Sequence, residues 1–342
     1  MALPLDNTSG TDEVHSALSL NFPSSLNLAT SVLLSTWLLL PSRLRVAVYD
    51  LLRRVGALLY PQPDHATVHR LPFGLYLKKR QTNPSSSHNE LAALQLLRRY
   101  TTIPVPTPLD LVHKPAANPA AADPFSVAEA ETETEAYGET YLLTTRVPGI
   151  PLYRCQHVLS DADLADLAAQ LAAHLAQLRA VPQQQQQPNN NTHTHQKTKF
   201  KIEICDARGH AIRDPRIRGG EPVGPFPDEA AFSRELMFSD DAARRGHRVV
   251  FTHADLNPRN ILVEKRGGQG QGSLGRWVVA GIVDWENAGF YPEYWDCTKA
   301  FFEGFRWSAR YNGMVKMVFA ALGDYERELE VERRSWQLGD AI

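Results

Sequence analysis

Asp255 and Asn260 stand five positions apart in the run RVVFTHADLNPRNILV over residues 248–263. His253 opens the polar centre of that run, which also holds Asn257 and Arg259. Two β-rich stretches, 249–252 and 261–263, flank it. A further strand over 277–283 ends at Asp284, followed by Trp285 and Glu286. Phosphoryl transfer needs an acid that orients a hydroxyl and takes its proton, and oxygen ligands that hold Mg2+. Asp255 has the right type for the base, and Asn260 and Asp284 for the metal ligands. H-x-D-x-x-x-x-N is more specific than an isolated acidic pair. Without Asp284, Asp255 and Asn260 could equally do no more than hydrogen-bond a turn. Polar clusters at strand ends commonly carry function.

These residues need elements to hold them. Residues 67–80 are rich in β-formers around a turn signal at 72–74 and predict a β-hairpin. Residues 89–100 predict a helix, 103–108 a rigid extended link, and 109–112 and 140–147 two strands. Residues 62–147 thus make a strand-rich lobe with one helix. From 148 to 342 the chain is more helical, and a long Ala/Leu helix starts at Ser160. Ser160 with Asp163 resembles a capping box. Residues 114–138 predict a mobile insertion, and 183–198 a low-complexity exposed loop. His193 and His195 in that tract read as bystanders rather than metal ligands. The glycines at 267–275 precede no Lys-Ser/Thr, and G-x-x-x-x-G-K-[ST] is absent, so they predict a hairpin loop.

Residues 1–61 are expected to be a helical amino-terminal extension. The apolar run 26–40 is shorter than the ~20 residues a membrane span needs, and no Lys or Arg precedes it. It predicts a packed or docking helix rather than a membrane contact. Residues 42–60 carry helical apolar spacing interrupted by Arg43, Arg45, Arg53 and Arg54. The chain has 342 residues, with 36 Lys+Arg against 38 Asp+Glu. A bulk electrostatic nucleic-acid binder usually shows a basic excess, so no nucleic-acid partner is expected. Three widely spaced cysteines, Cys155, Cys205 and Cys297, make no disulfide framework and no zinc pattern. Free thiols suit a reducing compartment, and a cytoplasmic location is expected.

HADLNPRN over 253–260 and IVDWE over 282–286 resemble the aminoglycoside phosphotransferase and choline kinase-like family, particularly its fungal members. FPDEAAFSREL over 226–236 and YPEYWDCTK over 291–299 are similar to the fungal branch as well. The resemblance covers about residues 65–305. It implies an α+β, two-lobed protein-kinase-like fold, with a small β-rich N-lobe and a larger helical C-lobe. It also implies ATP and Mg2+ as cofactors. Asp255 then matches the catalytic base, Asn260 a metal ligand, Asp284 the metal-binding acid, and His253 a brace for the loop. The family usually has His-Gly-Asp where this chain has Ala254, a small residue for which little harm is expected.

Such a fold needs a strand lysine for the α/β-phosphates and a helix glutamate to fix it. Lys78 and Glu90 fit in type and order. Strand alternation lets only one of Lys78 and Lys79 point inward, and Lys78 is preferred. Adenine is expected where the lobes join, at Leu143, Thr144, Thr145 and Arg146. One departure is that the only glycines near and before Lys78 are Gly56 and Gly74, with no glycine-rich loop. Glu286, Glu293 and Asp296 could line an acceptor pocket that favours cations, or could cap helices and pair with Lys299 and Arg306. Trp285, Tyr291, Tyr294 and Trp295 read as packing first and acceptor stacking second. The acceptor side is expected to be small or completed by the amino-terminal helices. The function implied is transfer of the γ-phosphate of ATP to a hydroxyl of a small molecule, with an amine-bearing, cationic acceptor as one option. A non-catalytic kinase-like binding or scaffold protein is the alternative, and a metal-dependent phosphoester hydrolase is a third reading. Oligomeric state is not legible.

Overall fold

The structure is a computed structural model that describes residues 28–61, 67–81, 84–115, 138–183, 202–267 and 275–338. Most of the insertion expected over 114–138, nearly all of the loop expected over 183–198 with His193 and His195, and the glycines at 268–274 lie outside the described residues.

The first lobe is one antiparallel sheet. β1 (Val68–Leu71) and β2 (Leu75–Arg80) form a hairpin, with β3 (Pro108–Lys114) and β4 (Glu139–Thr145) beyond it, in the order β1-β2-β4-β3. The pairing sets Lys78 opposite Leu142 and Lys79 opposite Tyr141. Because side chains alternate across a strand, the sheet has two different faces. On one, Lys79 reaches Glu139 at 2.6 Å and Asp50 at 3.8 Å. On the other, Lys78 reaches α3 (Ser85–Tyr100).

Two helices precede the sheet, α1 (Leu28–Leu38) and α2 (Ser42–Leu59), bent by 116° to each other. An apolar sheet face must be covered, and α2 covers the one that carries Leu77, Val112, Tyr141 and Leu143, packing Val46 and Tyr49 there. A buried acid anchors it. Asp110, 3% exposed, accepts from the Tyr49 hydroxyl and pairs with Arg45. Trp37 of α1 donates to the same hydroxyl at 2.8 Å. The expectation that the amino-terminal helices complete the acceptor side is not met by α1 and α2: the apolar outer face of the small lobe takes them. Val32, Leu33, Leu39, Leu51 and Leu58 remain exposed. No single helix among the described residues is long and apolar enough to cross a membrane.

The second lobe joins two small sheets to a helical body. β5 (Ile150–Pro151), β8 (Ile261–Arg266) and β9 (Arg276–Ile282) form one; β6 (Cys205–Asp206), β10 (Gly289–Pro292) and β7 (Val249–Thr252) form the other. The hairpin β8–β9 presents the motif residues from its ends. α4 (Asp161–Arg179) starts at a full capping box, with the Ser160 hydroxyl accepting from Asp163 N–H and the Asp163 carboxylate accepting from Ser160 N–H. It packs against α6 (Ala309–Ala320) and the strands. α5 (Trp295–Phe302) and α7 (Glu326–Gln337) close the body. Trp285, Tyr291, Tyr294 and Trp295 are all within 1% of full burial, so packing, not stacking on an acceptor, is their role. Lys299 pairs with Asp214 at 3.2 Å, inside a buried network with Arg216, Glu332 and Arg244. Cys155, Cys205 and Cys297 are free and buried.

Helix α2 meets the sheet closely at Gly56, where an added Cβ would lie 2.2 Å from the carbonyl oxygen of Arg70. That backbone cannot move aside cheaply. Gly56→Ala should therefore cost about 1–3 kcal/mol, read as a lower urea midpoint at unchanged m-value. A wild-type midpoint would show that α2 is not seated as described.

Candidate functional site

Strand β2 carries Lys78 to the seam between the lobes. Its ammonium lies 2.6 Å and 2.8 Å from the two Glu90 oxygens and 2.6 Å from Asp284 Oδ1. Glu90 is 3% exposed on α3, and Asp284 follows β9. Burial by itself would depress the lysine pKa; Asp284 and Glu90 outweigh it and hold Lys78 above its ordinary value. Lys79 lies on the opposite face with Glu139, so Lys78 is the lysine directed into the seam.

Two contacts that the sequence did not signal hold this arrangement. Asn89, one residue before Glu90 and 5% exposed, donates to the carbonyls of Glu286 and Ala288 at 2.8 Å each and accepts from Ala207 N–H. It fixes the start of α3 on the large lobe. Arg80, two residues after Lys78 and so on the same face, pairs with Glu286. The strand period could have suggested Arg80, but nothing local could have found its partner. Carboxylate oxygens of Glu90, Asp284 and Glu286 lie within 4.8 Å of one another, a concentration of charge that Lys78 and Arg80 offset.

The run 253–260 lies between β7 and β8 and is held from three sides. Asp296 of α5 accepts from the N–H of His253 at 3.2 Å and of Ala254 at 2.7 Å. His253, fully buried, takes the Asp255 N–H on Nδ1 (3.1 Å) and meets the Val283 carbonyl with Nε2 at 3.0 Å. With Nδ1 accepting, Nε2 carries the proton and the ring is neutral, which agrees with burial lowering its pKa. The ring also packs on Trp285, 4.4 Å between centroids. Val283 N–H donates to the Asn260 carbonyl at 3.0 Å, tying the loop to the chain just before Asp284. Ala254 has φ 58°, a left-handed conformation that glycine adopts more readily. The departure from His-Gly-Asp thus places a side chain where backbone freedom is useful, at a cost of roughly 1 kcal/mol.

Asp255 and Asn260 meet directly. Asn260 Nδ2 donates to the Asp255 carbonyl at 2.9 Å and to its Oδ2 at 3.1 Å. That turns the Asn260 amide oxygen away from Asp255. The amide oxygen and the ionised Asp284 carboxylate are hard oxygen donors of the type Mg2+ takes, and the loop-to-strand tie keeps them on neighbouring stretches of chain. The donor set therefore fits a divalent cation. Burial pushes the Asp255 carboxyl up to about 7, and the nearby Asp284 charge adds to this. Asp284 goes the other way: burial opposes ionisation, but Lys78 and then Arg80 hold its pKa below the usual carboxylate range. Two carboxylates whose surroundings drive their pKa values apart suit division into proton acceptor and cation ligand.

Leu143, Thr144, Thr145 and Arg146 run along the end of β4 where the lobes join. Leu143 and Thr144 are buried. Thr145 N–H donates to Thr107 O at 2.9 Å, and Arg146 N–H to Gly74 O at 2.8 Å. Those two donors are thus engaged within the protein, and a base seated there would have to use other groups. Gly74 lies at this end of β2, away from Arg80, and Gly56 lies inside α2. Neither belongs to a loop over the Lys78 end, and among the described residues no strand pairs with the free edge of β1. Of the acids considered for an acceptor pocket, Glu286 pairs with Arg80, Glu293 with Arg248 at 2.6 Å, and Asp296 holds the loop backbone.

Solved structures give several similarities. The chain resembles aminoglycoside phosphotransferase APH(3'')-Id from Streptomyces rimosus, in complex with ADP and streptomycin, at 22% identity and a TM-score of 0.47, covering 86% of this chain and 97% of that one. It resembles the GDP complex of wild-type aminoglycoside 2'-phosphotransferase-IIIa at 14% identity and a TM-score of 0.47, covering 86% and 87%. Aminoglycoside phosphotransferase APH(4)-Ia matches at 12% identity and a TM-score of 0.46, covering 87% and 94%. No curated protein sequence matches the chain. The model of the phosphotransferase enzyme family matches residues 67–330, a span that includes Lys78, Glu90, the 253–260 loop and Asp284. With its small antiparallel lobe set on a larger helical one, the chain has the two-lobed, protein-kinase-like α+β fold and belongs to the phosphotransferase enzyme family.

Proposed function

We propose that the protein transfers the γ-phosphoryl group of ATP, with Mg2+, to a hydroxyl of a small molecule. The observation that carries this reading is the Lys78 ammonium shared between Glu90 and Asp284, beside a loop that joins Asp255 to Asn260. Asp255 takes the acceptor proton. The acceptor oxygen forms a bond to the γ-phosphorus as the bond from that phosphorus to the β–γ bridging oxygen breaks, and ADP leaves with that electron pair. Asn260 and Asp284 would hold the cation, which would offset charge on the phosphate oxygens. Lys78 would engage the phosphates, and Glu90 keeps it in place. His253 and Asp296 fix the loop so that Asp255 needs no reorganisation. A second reading, a kinase-like binding protein without catalysis, draws on the lack of a glycine-rich loop among the described residues. ATP affinity with and without Mg2+ separates the two: tightening by Mg2+ supports transfer, and no binding in either condition sinks it.

Three outcomes are expected from the assignments. Asp255→Asn should lower kcat by about 10²–10⁴ while ATP affinity holds; wild-type turnover in that variant would remove Asp255 from the base role. Asp284→Ala should abolish the Mg2+ dependence of ATP binding, measured by calorimetry, and retention of that dependence would exclude it as a ligand.

The third concerns pH. A base with its pKa near 7 is protonated and idle below that value, so kcat/KM should fall as pH drops through about 7. A raised carboxyl pKa means that the folded state binds the proton more tightly than the unfolded one. Ionised Asp255 therefore costs stability, increasingly from about pH 4 up to 7 and constantly above. Asp255→Asn should stabilise the fold at pH 8 by about 1–3 kcal/mol, with the gain shrinking toward pH 4. Thermal melts at several pH values read this directly, and a loss of stability at pH 8 would contradict it.

A further inference from the structure

Beyond Arg259 of the loop, buried polar atoms gather on one short stretch of chain. Glu303 Oε2, Trp307 Nε1, Tyr311 Oη and Asn312 Oδ1 have no hydrogen-bond partner among the described residues. Folded proteins leave few such atoms, since each costs about 1–3 kcal/mol. Tyr311 is 1% exposed, so bulk water does not serve its hydroxyl. An enzyme gains from such groups where a ligand completes them.

The group adjoins the Asp255 loop through Arg259. The Arg259 N–H is fixed on Asn257 Oδ1 at 3.0 Å, its guanidinium lies 5.2 Å from the Trp307 ring centre, and it stands 3.7 Å from Glu303 Oε2. Trp307 and Tyr311 meet edge to face, 6.4 Å between centroids. Burial, and after it the charge of Asp255, raises the Tyr311 pKa, so its phenol stays protonated and able to donate.

The chemistry of the four atoms selects a ligand. The Trp307 N–H donates, Glu303 Oε2 and Asn312 Oδ1 accept, and the Tyr311 hydroxyl does both. An alcohol also does both, so adjacent hydroxyls match this alternation. Charge argues the same way. Glu303 has Arg259 at 3.7 Å and Arg306 at 3.8 Å. Glu286, Glu293 and Asp296 are engaged elsewhere, as described above. The one acid of the group, Glu303, thus has two guanidiniums beside it, with no surplus negative charge for an ammonium group.

We propose that Glu303, Trp307, Tyr311 and Asn312 form the acceptor subsite and that it takes an uncharged polyhydroxylated molecule of the sugar or cyclitol class rather than an amine. This rests on the phosphotransfer reading above. The test follows Mg2+- and ATP-dependent ADP release by the full chain with D-ribose, D-glucose and myo-inositol, and in parallel with choline and kanamycin. The uncharged probes should stimulate release. Tyr311→Phe and Trp307→Phe should each raise the KM of the uncharged acceptor about tenfold and leave the KM for ATP unchanged. Because Tyr311→Phe deletes an unpartnered hydroxyl, its melting temperature should hold or rise, which separates loss of recognition from loss of folding. Stimulation confined to the cationic probes, none by the uncharged ones while ATP still binds, or an unchanged acceptor KM in both variants overturns the subsite. Absence of ATP binding by the unaltered protein instead overturns the phosphotransfer reading, and this one with it.

Discussion

An ammonium group taken out of water must be met by carboxylates or give up its charge. Lys78 is met by two, and they arrive from different parts of the chain: Glu90 from the helix beside the sheet and Asp284 from the end of a strand in the other lobe. Neither acid can be moved without leaving a buried charge uncompensated, which is costly. The register of β2 against β4, the docking of α3 and the path of the chain after β9 must therefore agree with one another. Asn89 and the Arg80–Glu286 pair reinforce the same seam, one by neutral hydrogen bonds and one by charge. This site is a junction between lobes before it is a place for chemistry.

The loop next to that junction is fixed by groups with little to do in the reaction. Asp296 holds two backbone N–H groups, and a neutral His253 bridges Asp255 N–H to the Val283 carbonyl. Such bracing lets Asp255 remain in surroundings that disfavour its charge. The tension between stability and proton affinity at Asp255 is the familiar condition of a functional carboxylate. Ala254, with its positive φ, adds a smaller backbone strain in the same turn.

The group around Tyr311 contrasts with the seam. There, buried charges are matched by partners of opposite sign. Around Tyr311 hydrogen bonds are incomplete, and the unpartnered atoms are of the kinds that bind hydroxyls. Among the described residues, α1 and α2 lie elsewhere, because the outer face of the small sheet is apolar and takes α2 as its cover.

Much was determined by sequence alone, wherever the relevant physics is local. Strand alternation favours Lys78 over Lys79 as the inward lysine. The five-residue spacing of Asp255 and Asn260 lets both belong to one loop, where they bond. Ser160 and Asp163 form their capping box within a single turn. What only the tertiary structure decided involves partners far apart in the chain. Lys78 and Asp284 are separated by 206 positions, and Asn89 and Glu286 by 197. Whether Glu286, Glu293 or Asp296 carries free negative charge depends on Arg80, Arg248 and two backbone N–H groups, and no local pattern announces these. The same holds for Tyr311 on α6 and Trp307 just before that helix. Their unpartnered polar atoms exist only because the folded chain brings them no partner, and a hydrogen bond that is missing leaves no mark in a sequence.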